Sequence, residues 1–462
     1  MILKLIVFFQ IMLCQKTTSW SQIKRHKYTL SKFFQPFDVI PHNQDTVHNP
    51  SEDSISARLL TNYGVVRQAG PGTFHLLPLG LRSVKKIENI IDREMEKIGC
   101  LKISMPHVTQ ASLWKKSGRL TRMGSELITF NDRHERSQVL SPTHEEAVTD
   151  LMKSLPVTHD TDLSIKLYQV GTKFRDEMRP KFGLIRSNEF LMKDLYTFDK
   201  DIASAQESYH LVTEAYQNIF ETIGVPWLRV AGDSGAIGGS MSHEYHYPAP
   251  IGQDNLVICG ECGHGSNAEL LSGDDQSCVK CGAAEVKTSK GIEVGHTFQL
   301  GDKYSRSMKA KYKNAAGEGH VYQMGCYGIG VSRLMAAAVE VMSTPSELRW
   351  PRVMAPFSCI VLAPKGGSRE GSAASGLVSQ LCQSLNTVLP DDVILDDREK
   401  LTVGKKLREA KKTGYPYIVL FGKKCADEDP MIELHSVNTG EMTELRPEEL
   451  VQYMKANAVS QP

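Results

Sequence analysis

Residues 173–194 read KFRDEMRPKFGLIRSNEFLMKD, with Arg175 and Glu177 two apart and Arg186, Phe190 and Asp194 following at four-residue steps. Residues two apart share a face only in an extended chain, whereas residues four apart share one on a helix or a strand alike. The intervening MRPKFG, with Pro180 and Gly183, is a natural turn. The pattern predicts an antiparallel pair, one strand over 170–178 and the next over 185–198, with both arginines projecting from one sheet face. Guanidinium groups stay charged and offer planar forks to phosphate and carboxylate, so the implied chemistry is anion binding beside an aromatic ring. The competing reading is a solvated face on which Arg175 pairs with Glu177 and Arg186 with Asp194.

A third stretch shifts the balance toward a ligand. MGCYGIGVSRLMAAAVE places Gly325, Gly328 and Gly330 ahead of Arg333, on a helix that carries Ala336, Ala337 and Ala338. Glycine permits close backbone approach to a ligand, and small alanines permit tight packing of helix on sheet. The spacing is neither that of a phosphate-binding loop of the G-x-x-x-x-G-K-[ST] kind nor that of a dinucleotide G-x-G-x-x-G turn.

The elements that must carry these residues are legible in outline. Val84, Ile87, Ile90, Ile91, Met95 and Ile98 recur at helical spacing up to Gly99, and LKISMP then reads as a strand ending at Pro106. A polar loop leads to a helix beginning near Thr143. A second helix is predicted over about 202–223, ending at Gly224. After Trp350-Pro351 the style changes: CIVLAP (359–364), VILDD (393–397) and YIVLFG (417–422) are apolar strands alternating with helices, which indicates a compact α/β domain with a parallel or mixed sheet. The fold class is therefore α/β, with an α+β first domain.

Together these pieces resemble the three signature motifs of class II aminoacyl-tRNA synthetases. PTHEE, KFRDE, EVGHTFQLG and MGCYGIGVSR further resemble the bacterial-type prolyl-tRNA synthetase family in its mitochondrial form, over about residues 57–460. The resemblance implies an antiparallel catalytic sheet flanked by helices over 57–352, then a smaller anticodon-binding domain over 353–462. It implies ATP with Mg2+, L-proline and tRNA(Pro) as ligands, a homodimer, and no membrane association. It also implies roles. Arg175, Glu177 and Arg333 would be the catalytic set. Arg175, Arg186 and Arg333 would hold phosphates, Glu177 would face the ATP base and Phe190 would stack on adenine. Glu293 and His296 would lie beside the nucleotide, while Thr143, Glu145, Arg175, Phe298 and Cys326 would form the proline pocket. Asp397 and Arg398 would lie where the anticodon is read. Thr143 has a plainer reading as a helix N-cap in a capping box with Glu146. The chain departs from the family pattern at Ser187 and Asn188, where Gly-Arg is usual, and at Ser141, where glycine is usual.

CGEC (259–262) and CVKC (278–281) enclose fifteen residues, a spacing suited to a structural zinc site at Cys259, Cys262, Cys278 and Cys281. Four free thiols are the alternative. This cysteine-rich insert, 250–290, stands where many relatives carry a large domain that hydrolyses mischarged alanyl-tRNA, so the resemblance implies that this domain is absent. Between Arg398 and Lys424 nine Lys or Arg face two Glu, which suits either a solvated helix or contact with RNA phosphates.

Bulk properties exclude little. Formal charge is +1, so a polyanion must be held by local patches. Ten cysteines in a chain of 462 residues are no secreted disulfide framework. Residues 1–37 contain no Asp or Glu but six Lys or Arg, as in a mitochondrial transit peptide, and 38–56 reads as a linker; the location implied is the mitochondrial matrix. LIVFFQIMLC (5–14) behind Lys4 could also begin a secretory signal, but no small-residue cleavage site follows it. A catalytically inert synthetase-like accessory protein, or a sibling enzyme for threonine, serine or glycine, are the remaining alternatives.

Overall fold

The computed structural model describes residues 26–37, 54–155, 158–270, 277–278 and 280–457. Helix α1 (Pro78–Lys97) starts with proline in its first turn, where a missing N–H costs nothing. It buries Val84, Ile87, Ile90, Ile91 and Met95, and Gly99, at φ 73°, turns the chain away. Helix α2 (Glu145–Ser154) follows. Asp201 caps α3 (Ile202–Ile223) by accepting the Ser204 N–H at 2.8 Å, and left-handed Gly224 ends it. Helix α4 (Val331–Met342) buries Ala336, Ala337 and Ala338 almost completely.

These helices serve a nine-stranded sheet. Its strands in chain order are β1 (Leu101–Lys102), β2 (Ile165–Phe174), β3 (Glu189–Asp199), β4 (Leu228–Ala231), β5 (Met241–Pro248), β6 (Asp254–Cys259), β7 (Gly265–Asn267), β8 (Val286–Gly301) and β9 (Gln323–Gly330). Across the sheet they run β5-β4-β7-β6-β8-β9-β3-β2-β1, antiparallel except for β4 with β7 and β1 with β2. Strand alternation gives the two faces different jobs. Leu195, Tyr327 and Ile329 join α1, α3 and α4 in the main core, while Tyr196, Phe298 and Cys326 face the other way into a second cluster.

The C-terminal sheet comprises β10 (Cys359–Leu362), β11 (Val393–Asp396), β12 (Tyr417–Leu420), β13 (Ile432–Ser436) and β14 (Met442–Leu445), in the order β11-β10-β12-β13-β14. Its first three strands are parallel and the last two antiparallel, the mixed sheet expected from the apolar runs. One face, including Ile360, Leu362 and Ile418, continues the main core; the other packs under α5 (Arg369–Val388).

Three expectations need correction. The polar loop before α2 is folded: helices Ala111–Ser117 and Arg119–Met123 pack with a small sheet of Val108–Gln110, Ser137–Leu140 and Thr129–Asn131. LKISMP is regular strand only at Leu101 and Lys102, with Ile103 N–H adding one bond to Tyr168 O at 2.8 Å. Residues 26–37, assigned by composition to the leader, belong to the folded molecule. Leu30 N–H donates to the Leu395 carbonyl at 2.8 Å and Leu395 N–H to Tyr28 at 3.0 Å, so the segment extends the edge of the C-terminal sheet. Tyr28 and Phe33 meet Phe357 edge-on at 5.2 and 5.4 Å.

Candidate active site

The paired strands stop further from the turn than the residue pattern predicts, because β2 ends at Phe174 and β3 starts at Glu189. Arg175, Glu177 and Arg186 therefore lie on the connection, not on strands. The connection is nonetheless tied: Arg175 N–H reaches Asn188 O at 2.9 Å, and Lys181 N–H reaches Arg186 O at 3.1 Å. Within β3 alternation holds, and Phe190, Met192 and Asp194 point into one cavity of about 280 Å³.

Three neighbouring strands build its floor. His296 on β8 stands opposite Gly328 on β9, and Gly328 opposite Asp194 on β3. One rung along, Phe298, Cys326 and Tyr196 line up in the same way. A Cβ at Gly328 would meet nothing nearer than Met192 Sδ at 3.7 Å, so glycine here keeps the cavity open rather than relieving a clash. Thr143 and the loop 233–237 complete the walls.

A second cavity, about 260 Å³, adjoins the first and shares Arg175, Glu293 and Arg333 with it; Glu177, Arg186, Gln253 and Asp254 line the rest. The three arginines expected to hold phosphates all line this second cavity. Arg333 is fixed by donating to Ile185 O at 2.7 Å and lies 3.4 Å from the Glu293 carboxylate. Burial and the neighbouring Arg333 charge lower the Arg175 pKa, and the Glu293, Glu177 and Glu126 carboxylates offset them only in part. Arg175 Nε and His296 Nε2 have no protein hydrogen-bond partner although both are buried. Arg186 pairs with Glu177 at 2.7 Å rather than with Asp194. For Glu293, burial works against ionisation but is outweighed by the His296 hydrogen bond and by Arg333, which hold the carboxyl far below its usual range. Burial, with Glu293 adding, pushes Asp254 up to about 6.

Around the other end, the proposed cap at Thr143 is absent. His144 precedes α2 without a side-chain cap, and Thr143 Oγ1 lies 2.8 Å from both Glu145 oxygens. Glu145 is fully buried behind Thr143 and Cys326, whose thiol donates to it at 2.9 Å. Asp194 acts as a buried anchor: Lys173 lies 2.8 Å away, Gln169 donates at 3.1 Å and Tyr196 at 2.9 Å. Tyr196 in turn accepts the His144 N–H at 2.8 Å. Sequence reasoning missed Arg119, which is fully buried and bonded to Glu145, and also Asp254 and Gln253. No periodic or motif signal marked them, because they lie in stretches that read as polar loops.

The four cysteines of the insert come together at the start of β8 and the β6–β7 turn, with every sulfur within 4.8 Å of the others. Cys259 to Cys281 and Cys262 to Cys278 are each 3.6 Å. A tetrahedron with zinc–sulfur bonds of 2.3 Å has edges of about 3.8 Å, so the set fits that ion. Asp397 and Arg398 are already engaged within the chain. Ser31 donates to Asp397 through N at 2.9 Å and Oγ at 2.6 Å, and Arg398 bridges Asp396 at 2.7 Å and Glu409 at 2.8 Å.

Family models match two parts of the chain: "tRNA synthetase class II core domain (G, H, P, S and T)" over residues 128–342 and "Anticodon binding domain" over 360–457. A mouse protein named probable proline–tRNA ligase, mitochondrial, is 42% identical over 433 residues, 93% of this chain and 91% of its own. The chain belongs to the prolyl-tRNA synthetase family. A human protein of the same name is 43% identical over 89% of this chain and 88% of its own, and an Ehrlichia chaffeensis proline–tRNA ligase is 38% identical over 87% and 95%. Among solved structures, a Giardia lamblia prolyl-tRNA synthetase in complex with prolyl-adenylate superposes with TM-score 0.70 at 18% identity, covering 87% of this chain and 74% of that one. That likeness is one of fold.

Proposed function

We propose that this prolyl-tRNA synthetase family member joins L-proline to tRNA(Pro) in two steps at the shared cavity. The proline carboxylate attacks the α-phosphorus of ATP and pyrophosphate leaves; a terminal ribose hydroxyl of the tRNA then attacks the prolyl carbonyl and AMP leaves. Two anions must meet in the first step, so the task is neutralisation and alignment, and no side chain here is assigned as a general base. Arg175 and Arg333 supply the positive charge, and Phe190 provides the platform for the base. Arg186 and Glu177 sit at the rim, and a phosphate would draw Arg186 from that ion pair. Glu293 and Asp254 offer carboxylate oxygens suited to Mg2+ accompanying the nucleotide. Thr143, Cys326 and Phe298 bound the proline end, with Glu145 behind them.

The observation that carries this reading is the convergence of Arg175, Arg333, Phe190 and Thr143 on one cavity. Proline-dependent ATP–pyrophosphate exchange tests it; silence with proline, or equal exchange with threonine, serine or glycine, overturns it. Zinc on the four cysteines, a homodimer and action in the mitochondrial matrix are parts of the same proposal. Several relatives are named mitochondrial, and among the described residues no helix is long and apolar enough to cross a membrane. The proposal also holds that the enzyme does not clear alanyl-tRNA(Pro), since a pocket rejects a smaller ligand by only about 1–3 kcal/mol and the insert that could correct the error is short. Rapid deacylation of alanyl-tRNA(Pro) by the purified protein would refute that part.

A further inference from the structure

Arg119 is fully buried, and one of its nitrogens, Nη1, meets two carboxylates: Glu145 at 2.8 Å and Glu146 at 3.1 Å. Both carboxylates are themselves buried, on consecutive residues at the start of α2. Gly118, at φ 78°, turns the chain between two short helices and so aims the next residue inward. The guanidinium lies over the Trp114 ring, 4.9 Å from its centre, and Ser117 Oγ donates to Glu146 at 2.6 Å.

The cluster holds one cation for two acids. Lys303 directs its ammonium to the carbonyls of Ala236 and Ile237 instead. For Glu145, burial is outweighed by the Arg119 charge, which leaves the acid below its usual range. Burial pushes Glu146 up despite the same guanidinium. One guanidinium nitrogen is thus shared between the two carboxylates, 2.8 Å from Glu145 and 3.1 Å from Glu146, so the pair has one bonded cation between them. An amino-acid substrate brings one ammonium to Thr143 and Cys326, directly in front of this pair.

We propose that Arg119 is a positioning residue for amino-acid recognition. It locks Glu145 against Thr143 and Cys326, and with Glu146 it leaves the pocket one positive charge short, which the substrate ammonium supplies. The inference rests on the reading that proline binds at Thr143 and Cys326. Selectivity for an ammonium over a neutral ligand then follows from the count of buried charges, not from a direct contact alone.

Pyrophosphate exchange, with separate KM values for proline and ATP, tests both layers. Glu145→Gln probes the parent reading: its proline KM should rise steeply, and an unchanged value would remove the proline site from this place. Glu146→Gln keeps hydrogen bonds to Ser117 and Arg119 while deleting one charge. Its proline KM should rise about tenfold, with ATP KM within twofold and an unchanged or higher Tm, as expected for one charged buried interaction. Arg119→Lys should fall between wild type and Arg119→Met, whose proline KM should rise about a hundredfold. If the methionine variant does not fold, the lysine variant carries the test. Proline KM within twofold of wild type for Glu146→Gln and Arg119→Lys, alongside a damaged Glu145→Gln, overturns the proposal. So does a loss confined to Tm and kcat.

Discussion

The Arg175 guanidinium carbon sits 5.2 Å from the centre of the Phe190 ring. One residue lies just past the end of β2 and the other at the start of β3, so the pair bridges the two arms of the connection. A cation above the ring restricts Arg175 and leaves the rest of the Phe190 surface available for a base. Two variants separate the roles. Arg175→Lys keeps the charge but loses the planar fork, and should lower kcat for pyrophosphate exchange by at least tenfold. Phe190→Leu should raise ATP KM several-fold and leave proline KM within twofold. Equal effects on both substrates from Phe190→Leu would contradict the assignment of the ring to the nucleotide.

Lys193 occupies the opposite face of β3, fully buried, with Nζ 2.8 Å from the Tyr216 hydroxyl. Burial pushes its pKa down to about 7, only partly offset by nearby acids. An unfolded lysine titrates at about 10.4, so between those values the unfolded chain holds a proton that the folded chain lacks. The penalty on folding is largest below pH 7 and fades as pH rises toward the unfolded value. Lys193→Met should therefore raise Tm by a few degrees at pH 7, and the gain should shrink steadily by pH 9.5. A gain that grows with pH would show that Lys193 stays charged in the folded protein.

Legibility in the sequence followed the strength of local signals. Arg333 and its glycines were readable because glycine, turn and helix each leave a mark, and Phe190 and Asp194 because strand alternation did. The strand limits were not readable: Arg175 N–H pairs with Asn188 O beyond the strand end, so extended pairing persists where the regular ladder stops. Arg119 lay in a segment whose polar composition resembles any solvated loop, and only the fold turns it onto Glu145. Residues 26–37 carry basic and hydroxyl residues suited to a leader, yet Tyr28, Leu30 and Phe33 also form an apolar face that packs on the core. The resemblance puts Asp397 where the anticodon is read, and Ser31 of that same segment donates two hydrogen bonds to it.

The cysteine cluster stands at one end of β6 and β8; Asp254, at the other end of β6, and Glu293, midway along β8, line the second cavity. A metal clamped there would hold those strands in register. The purified protein should contain one zinc per chain by elemental analysis. Its removal by a chelator, or Cys281→Ser, should lower Tm and raise ATP KM more than proline KM. A metal-free protein whose Tm is untouched by Cys281→Ser would leave the four thiols without this role.

The segment 26–37 ties both domains together. Lys27 pairs with Asp391 at 2.7 Å, Ser31 with Asp397, and Gln35 donates to Tyr63 O at 3.2 Å on the catalytic side. Arg82 of α1 lies with its guanidinium carbon 3.9 Å from the Phe357 ring centre and 4.8 Å from that of Tyr28. Removing the segment would expose Phe357 and an unpaired edge of β11, leaving the C-terminal sheet less firmly placed. A chain beginning at residue 38 should melt several degrees below one beginning at residue 24. Because pyrophosphate exchange uses only the catalytic cavity whereas charging needs the tRNA to span both domains, charging should fall more than exchange. These contacts predict that a leader, if one is removed, is cut ahead of His26, which the N-terminus of the mature protein would report. Equal Tm and equal charging for the two chains would reduce the segment to a surface tail.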